Sequence, residues 1–293
     1  MKKTFSVLSV LLLLLFFHDA SLIGVQNGLL LWYQVLIPSL LPFIIVTNAL
    51  SEIHAYEDLF CLLFPIFKNR TYEIIVLFLG NLCGYPIGGT IMNHLMQNQL
   101  ISKNRADLLL PLSSQASPMF IIGYIYTHIL NKSIPFGIFA LCIYGPVVIG
   151  YIFLSLKTTD NDYRKLTKQP ISKHVLPITD TFFHAVKTMT LIGIYVILFS
   201  ILYSIFLSVC HWTLLKLPLS LLEITTGLQL LKTTFANHTF FLPIIGFLTV
   251  FGGLCSVFQI QCVCPVATKK YLSIKLLLST GTFLLLSFYK FFY

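Results

Sequence analysis

The sequence predicts an all-α polytopic membrane protein with about seven to eight membrane helices plus two re-entrant hairpins in an inverted repeat. Composition is the first reason: 57% of the 293 residues are hydrophobic and 10% are charged, with a mean hydropathy of +0.87. A soluble domain carries about 25% charged residues. The second reason is several apolar runs that reach the ~20 residues needed to span a bilayer. The third is a set of glycine- and proline-rich breaks inside apolar runs of both halves.

The chain begins with Lys2 and Lys3, which precede an apolar run from Phe5 to Phe17. One interpretation of this run is a signal peptide that is cleaved near residue 20. We favour a first membrane helix that starts in the cytoplasm, because His18 stands where a cleavage site needs small residues. Residues 1–27 are therefore assigned to an N-terminal membrane helix.

A first repeat is predicted over residues 28–156. Its leading span contains Pro38 and Pro42, which indicate a kinked helix. A later apolar run holds four glycines and one proline between Leu79 and Thr90. Each Gly costs roughly 1 kcal/mol against Ala in a helix, and Pro removes a backbone donor. Because lipid cannot satisfy broken backbone, we predict a hairpin that enters and leaves the membrane on one side.

There are two interpretations of these glycines. Gly84 and Gly88 form a small-xxx-small pair, which is typical of a helix–helix contact in membranes. The other interpretation is a substrate site, and a second broken segment about 140 residues later favours it. Within the first half, polar residues from Ser113 to Pro118 also interrupt the span from Leu108 to Ile129, and a further span runs from Phe136 to Leu156.

Residues 157–181 form a basic loop, which the positive-inside rule places in the cytoplasm. A second repeat is predicted over residues 182–293 and follows the plan of the first. A long span from Ala185 to Val209 is followed by a short segment around Glu223. A span broken between Gly252 and Ser256 comes next.

The two repeats are predicted to run in opposite directions. Lys2, Lys3 and the central loop are all cytoplasmic in this interpretation, so the first half crosses the membrane an even number of times. It contains five apolar segments, and one of them must therefore return to its own side. The two breaks of each half are also about 30 residues apart. This is the inverted-topology repeat of many secondary transporters. The last span is predicted to start at Leu276, directly after Lys275.

Glu223 is the strongest single candidate for a functional residue. It lies inside an apolar segment, where an ionisable group is costly unless it faces a cavity or a partner. The alternative is a glutamate at the water-exposed mouth of a short hairpin. The predicted substrate-binding residues are Gly84, Tyr85, Pro86, Gly88, Ser113, Ser114, Ser117, Glu223, Thr225, Thr226, Gly227, Gly252, Gly253, Ser256 and Gln259.

Other classes of function lack their motifs. The sequence has no His-Glu-x-x-His, Gly-x-Ser-x-Gly or Walker A pattern, which argues against an enzyme and against an ATP-driven pump. Cys262 and Cys264 have no second pair at metal-ligand spacing, so no metal site and no cofactor are predicted. The net charge of +9 is spread over loops, so no nucleic-acid partner is predicted.

Several short segments occur in the order that is typical of one bacterial family. They are Leu31-Trp32, Pro38-Ser39-Leu40-Leu41-Pro42-Phe43, Gly84-Tyr85-Pro86-Ile87-Gly88, Ser117-Pro118-Met119-Phe120-Ile121-Ile122-Gly123, Leu222-Glu223-Ile224-Thr225-Thr226-Gly227 and Gly252-Gly253-Leu254-Cys255-Ser256. Through this ordered set the chain resembles the sporulation integral membrane protein YlbJ (SpoVV) family, whose membrane core is a nucleoside-recognition (Gate) domain. The resemblance covers nearly the whole chain.

The resemblance implies a multi-pass protein of the bacterial cell membrane that exports dipicolinic acid across the outer forespore membrane during sporulation. Its partners would be a small-molecule anion and the lipid bilayer. There are departures from the family: the chain looks short, and Ser114-Gln115 and Ser117 stand where the family tends to have Asn and Gly. The alternatives are a non-transporting membrane scaffold or receptor, and a transporter of a nucleoside-like or other small solute.

An anionic substrate requires charge balance at Glu223. Dipicolinate is a dianion near neutral pH, and an ionised Glu223 in a low-dielectric cavity would repel it. Three arrangements solve this: Glu223 carries a proton, it holds a coupling cation, or the substrate arrives with a divalent metal ion. A coupling proton or cation is therefore expected among the partners.

Overall fold

The computed structural model describes residues 2–38, 40–42, 44–46, 70–156, 178–209 and 212–292. All regular secondary structure in these ranges is helical, which confirms an all-helical membrane protein. Five helices in them are long and apolar enough to cross a membrane, or six if a pair bent by 54° counts as one span. The count of seven to eight spans stays a prediction. Most of the basic loop at 157–181 lies outside the described residues.

The helices are numbered here in chain order. Their bounds are α1 Lys2–Phe16, α2 His18–Leu31, α3 Thr71–Cys83, α4 Ile87–Gln97, α5 Lys103–Ser113, α6 Pro118–Phe120, α7 Phe136–Leu156, α8 Ile178–Val209, α9 Lys216–Ser220, α10 Ile224–Phe235, α11 Phe241–Phe251, α12 Gly253–Val263 and α13 Thr268–Phe292. Helix α2 continues as the π-helical turn Trp32–Leu36 and, beyond a bend, as Leu40–Val46. Helix α6 continues as the π-helix Ile121–Ile129.

Helices α2 and α8 pack against each other through small residues. A Cβ on Gly24 would lie 2.6 Å from the Ile201 Cα, and one on Gly193 would lie 2.6 Å from the Trp32 ring. The Trp32 indole donates a hydrogen bond to the Met189 carbonyl at 3.0 Å. Residues later in α2 thus contact residues earlier in α8. The two helices are antiparallel, as an inverted repeat requires of its leading helices.

Helices α3 and α4 fold back on each other as a helical hairpin, here called hairpin 1. A Cβ on Gly80 would lie 3.1 Å from the Gly88 Cα, so the two backbones touch. The bend between them contains Gly84 at φ +82° and a cis peptide bond before Pro86. A positive φ of this size is readily adopted only by glycine.

A buried ion pair holds the base of hairpin 1. Arg105 donates to both carboxylate oxygens of Glu73, at 2.5 and 2.9 Å, and the Tyr151 hydroxyl donates to the second oxygen at 3.2 Å. Glu73 and Arg105 are 2% and 9% exposed. The chain therefore enters hairpin 1 and leaves it towards α5 at the same end of the helix bundle.

Helices α9 and α10 form a second, shorter hairpin, here called hairpin 2. Gly227 on α10 faces the Ser220 carbonyl at the end of α9, and there is no room for a Cβ between them. The turn between the two helices contains Glu223. Hairpin 2 thus repeats the plan of hairpin 1, with a glycine where two backbones approach.

Two broken helices follow the hairpins and form the centre of the bundle. The first consists of α5 and α6, interrupted at residues 114–117, and the second of α11 and α12, interrupted at Gly252. Over an 18-residue apolar stretch of each broken helix, 67% and 72% of the residues are buried. The corresponding share is 22–33% for the other three candidate spans. Each hairpin therefore precedes one buried broken helix.

Candidate substrate site at the hairpin tips and helix breaks

The tip of hairpin 1 reaches both helix breaks. A Cβ on Gly84 would lie 3.0 Å from the Ser117 nitrogen in the first break. A Cβ on Gly252, in the second break, would lie 3.3 Å from the Tyr85 ring. The glycine-rich tip therefore allows the backbone of hairpin 1 to sit directly between the two interruptions.

The tip of hairpin 2 is hydrogen-bonded to the second break. The backbone N–H groups of Leu254 and Cys255 donate to the carbonyls of Leu221 and Leu222, at 2.8 and 2.9 Å. The first N–H groups of a helix have no partner within that helix, so this tip satisfies two of the orphan donors of α12. These two hydrogen bonds therefore join hairpin 2 to α12, which is the second half of the second broken helix.

A cavity lies where these four segments meet. Its volume is about 30 Å³, which is room for about two water molecules. Its lining residues come from α2, α8, both tips and both breaks: Leu36, Leu40, Gly84, Tyr85, Ala116, Ser117, Phe120, Ile192, Val196, Glu223, Ile224, Gly252, Cys255, Ser256 and Gln259. The wall is mostly apolar with a few polar groups, as in ligand sites generally.

Glu223 is a cavity-lining residue, and its side chain caps the N-terminus of α10. Its Oε1 accepts from the Thr225 N–H and hydroxyl at 2.9 and 2.8 Å, and its Oε2 accepts from the Thr226 N–H and hydroxyl at 2.7 and 3.0 Å. The side chain is therefore fully hydrogen-bonded, and the helix N-terminus stabilises its negative charge. Only 2% of Glu223 is exposed, so it does not lie at a water-exposed mouth.

Seven of the fifteen predicted site residues line the cavity, and they are Gly84, Tyr85, Ser117, Glu223, Gly252, Ser256 and Gln259. Other predicted site residues contact these lining residues without lining the cavity themselves. Thr225 and Thr226 hold the Glu223 carboxylate. Gly253, at φ +77°, faces the Glu223 and Ile224 backbone. The role of the whole set in substrate binding stays a prediction.

Gly88 and Gly227 lie at backbone contacts within the hairpins. A Cβ on Gly88 would lie 2.6 Å from the Ser113 carbonyl oxygen, as the small-residue interpretation of this glycine requires. The Ser113 hydroxyl donates to the Leu110 carbonyl at 3.2 Å, so it is used within its own helix. Pro86 follows Tyr85 in the tip, and Ser114 is the first residue of the first break.

Gln259 is a polar residue of the cavity lining. Its side-chain nitrogen donates to the Cys255 sulfur at 3.2 Å, whereas its side-chain oxygen is buried and has no hydrogen-bond partner among the described residues. Ser256, by contrast, uses its hydroxyl on the Gly253 carbonyl at 2.8 Å. Gln259 is therefore a lining residue with unused hydrogen-bonding capacity.

Sequence reasoning missed two groups of buried charges. Glu73 and Asp107 were not singled out from the sequence, but they are 2% and 4% exposed. Lys275 was placed before the last span, but α13 starts at Thr268 and Lys275 is completely buried two turns inside it. A lysine flanked by leucine and isoleucine was the available signal.

Comparison with known proteins found a curated relative. No family model matches the chain, and no solved structure matches it. The chain is 26% identical to the sporulation integral membrane protein YlbJ of Bacillus subtilis (strain 168) over an alignment of 282 residues. The match covers 80% of this chain and 68% of the relative, and it supports the family resemblance found in the sequence. The chain is therefore a multi-pass bacterial membrane protein related to the sporulation integral membrane protein YlbJ.

Proposed function

We propose that this protein is a secondary transporter of a small organic anion. One observation carries the proposal: two hairpin tips and two helix breaks converge on one buried cavity. Irregular backbone at membrane depth is tolerated only where it is buried in protein or lines a cavity. In transporters built from inverted repeats, discontinuous helices of this kind form the substrate site. Dipicolinic acid, moved across the outer forespore membrane, is the substrate that the family resemblance implies.

Helix N-termini at the cavity support an anionic substrate. Helix α4 starts at Ile87, directly after the tip of hairpin 1, and the helix at 118–129 starts directly after Ser117. Each helix N-terminus carries roughly half a positive charge and favours anions. Glu223 lies on the hairpin 2 side of the same cavity. A carboxylate substrate would therefore bind towards hairpin 1 and away from Glu223.

The size of the cavity implies a conformational step. Space for about two water molecules does not hold an aromatic dicarboxylate. The tips of the hairpins must separate before such a solute enters. Because hairpin 2 is bonded to α12 through Leu221 and Leu222, these two elements would move together. Hairpin 1, anchored at its base by Glu73 and Arg105, would move at its tip.

The test is uptake of labelled dipicolinate into liposomes that contain only this protein. We expect saturable uptake above empty liposomes, and little competition by uridine. Gly84→Leu should abolish uptake because it fills the space beside Ser117. Gly123→Leu is the matched control, since a Cβ at Gly123 meets nothing within 4 Å.

Other outcomes identify the alternatives. Uptake of uridine but not of dipicolinate would assign a nucleoside-like solute. Uptake of neither, by protein that is folded and inserted, would contradict transport. If spores that lack this protein were then still poor in dipicolinate, a scaffold or receptor role would explain the result.

A further inference from the structure

Lys275 joins the two helix breaks through its ammonium group. It lies on α13 and is completely buried. Its Nζ donates to the Gln115 side-chain oxygen at 3.0 Å and to the Val250 carbonyl at 2.9 Å, and it also donates to the Ser114 carbonyl. Two of these acceptors belong to the first repeat and one to the second.

The three acceptors use the full capacity of the ammonium group. A lysine ammonium has three donors and no acceptor. A buried charge is costly unless it is paired or fully hydrogen-bonded. Neither Glu223 nor any other carboxylate among the described residues forms an ion pair with Lys275. The protein therefore satisfies this cation with backbone carbonyls and one amide.

The acceptors lie at the C-terminal ends of two half-helices. Helix α5 ends at Ser113, next to Ser114, and α11 ends at Phe251, next to Val250. Each helix C-terminus carries roughly half a negative charge. Two such ends together balance about one positive charge, which is the charge that Lys275 supplies.

Carbonyl oxygens at the ends of broken helices are also the ligands of coupling cations in transporters. We propose that the Lys275 ammonium group occupies a monovalent-cation site formed by the two helix breaks, as a cation that is covalently attached to the protein. The inference goes beyond the proposed function, because it holds for any transported solute. It assigns to Lys275 a positioning role: its charge holds both breaks in the geometry that places Ser117 and Gly252 at the cavity.

The test is to remove the side chain and supply a free cation. Lys275→Ala leaves the carbonyl ligands in place and opens the space of the ammonium group and its three neighbouring methylenes, which ammonium or methylammonium can enter. The purified protein is melted in detergent in ammonium, methylammonium, sodium, potassium or choline chloride at equal ionic strength. We expect Lys275→Ala to melt well below wild type in choline chloride. Ammonium or methylammonium should raise its Tm in a saturable way, while the Tm of wild type stays the same in all five salts.

Three further variants separate charge from packing. Lys275→Met fills a similar volume without charge and should show no rescue by any cation. Lys275→Gln keeps two N–H donors without a full charge and should also melt below wild type. Lys269→Ala removes an exposed lysine of the same helix and should respond to salts as wild type does.

Several results would overturn the inference. One is a Lys275→Ala protein whose Tm is the same in all five salts. Another is a rise of the Tm in ammonium that is as large for wild type and Lys269→Ala as it is for Lys275→Ala. A Lys275→Gln protein as stable as wild type would show that charge is not needed. Failure to recover Lys275→Ala even in ammonium, when Lys275→Met is recovered, would also contradict the proposal. Because Tm needs no substrate, absence of dipicolinate uptake by wild type would count only against the proposed function.

Discussion

Glu223 and Lys275 are buried charges of opposite sign, and each binds the ends of helices instead of the other. Glu223 accepts four hydrogen bonds at the start of α10, and Lys275 donates three at the ends of α5 and α11. In soluble proteins such residues usually pair directly. Here each charge is held by irregular backbone, so the breaks and the charges stabilise one another.

The first prediction concerns Glu223. Glu223→Ala removes a helix cap, which costs about 0.5–2 kcal/mol, and leaves buried N–H donors unsatisfied at roughly 1–3 kcal/mol each. We expect less folded protein, measured as a lower Tm, and no transport. Glu223→Asp keeps a capping carboxylate, because Asp is a favoured cap, but withdraws it from the cavity. It should be folded and transport poorly.

Glu223→Gln tests the coupling role. Gln keeps one acceptor oxygen, but its NH₂ group must face the donors of either Thr225 or Thr226. We expect an intermediate Tm and transport that no longer responds to an imposed proton or cation gradient. Uptake by wild type and the three variants is compared with and without each gradient. If Glu223→Ala transports as fast as wild type under every gradient, Glu223 has no role in transport beyond capping α10.

The second prediction concerns the base of hairpin 1. Arg105→Ala breaks the buried ion pair with Glu73, and removing one partner of a buried pair costs about 3–5 kcal/mol. The double variant Glu73→Gln with Arg105→Met should be more stable than Arg105→Ala, since both members of the buried ion pair are then neutral. Thermal unfolding of the variants and of the exposed control Lys103→Ala measures this order. Equal Tm values for Arg105→Ala and Lys103→Ala would show that the pair adds nothing to stability.

The third prediction concerns the packing role of Gly88 in hairpin 1. Gly88→Ala places a Cβ 2.6 Å from the backbone oxygen of Ser113, so the backbones must move apart at a cost of about 1–3 kcal/mol. Gly123→Ala has open space and should be neutral. The Tm difference between these two variants measures the packing role. A Gly88→Ala protein as stable as Gly123→Ala would argue against a close contact between the hairpin and α5.

The fourth prediction concerns substrate binding by Gln259. Gln259 lines the cavity, and its buried side-chain oxygen has no hydrogen-bond partner among the described residues. Gln259→Leu keeps the approximate size and loses about one hydrogen bond, or about 1 kcal/mol, which is roughly fivefold in KM. The exposed residue Gln229 provides the control Gln229→Leu. An unchanged KM for Gln259→Leu would remove this residue from the site.

The fifth prediction concerns topology. Asp107 accepts from the Ala267 N–H at 2.9 Å, so the starts of α5 and α13 share one end of the bundle. Lys232 donates to the His128 carbonyl at the opposite end. Single cysteines at Lys103 and Lys269 should therefore be labelled only from the cytoplasm, and those at Lys132 and Asn237 only from outside. These experiments use a protein cleared of native cysteines.

Labelling of Lys103 and Lys269 from opposite faces would contradict the shared end of α5 and α13, and labelling of Asn69 and Lys103 from opposite faces would contradict the re-entrant hairpin together with the inverted repeat. Asn69 precedes hairpin 1 in the sequence and should be labelled from the same side as Lys103. That residue lies outside the described ranges, so labelling tests it independently of the structure.

Much of the site was predictable from local sequence alone. A glycine, proline or serine cluster inside an apolar run breaks a helix whatever surrounds it, because its backbone costs are local. The sequence therefore predicted the tip at Gly84 and the breaks near Ser117 and Gly252, together with the buried charge at Glu223. The resemblance to the YlbJ family, supported by 26% identity to one relative, was likewise present in these short segments.

The sequence by itself determined that this chain is an all-helical membrane protein and where its helices break. Only the tertiary structure decided what the breaks contact. Lys275 binds a side chain 160 residues away, and apolar lining residues such as Leu36 and Val196 come from helices with no local sign of a site. Gly84 and Gly88 look alike in sequence, yet one lies at the cavity and the other at a backbone contact. Local patterns set backbone conformation, whereas burial and long-range contacts depend on how distant segments pack.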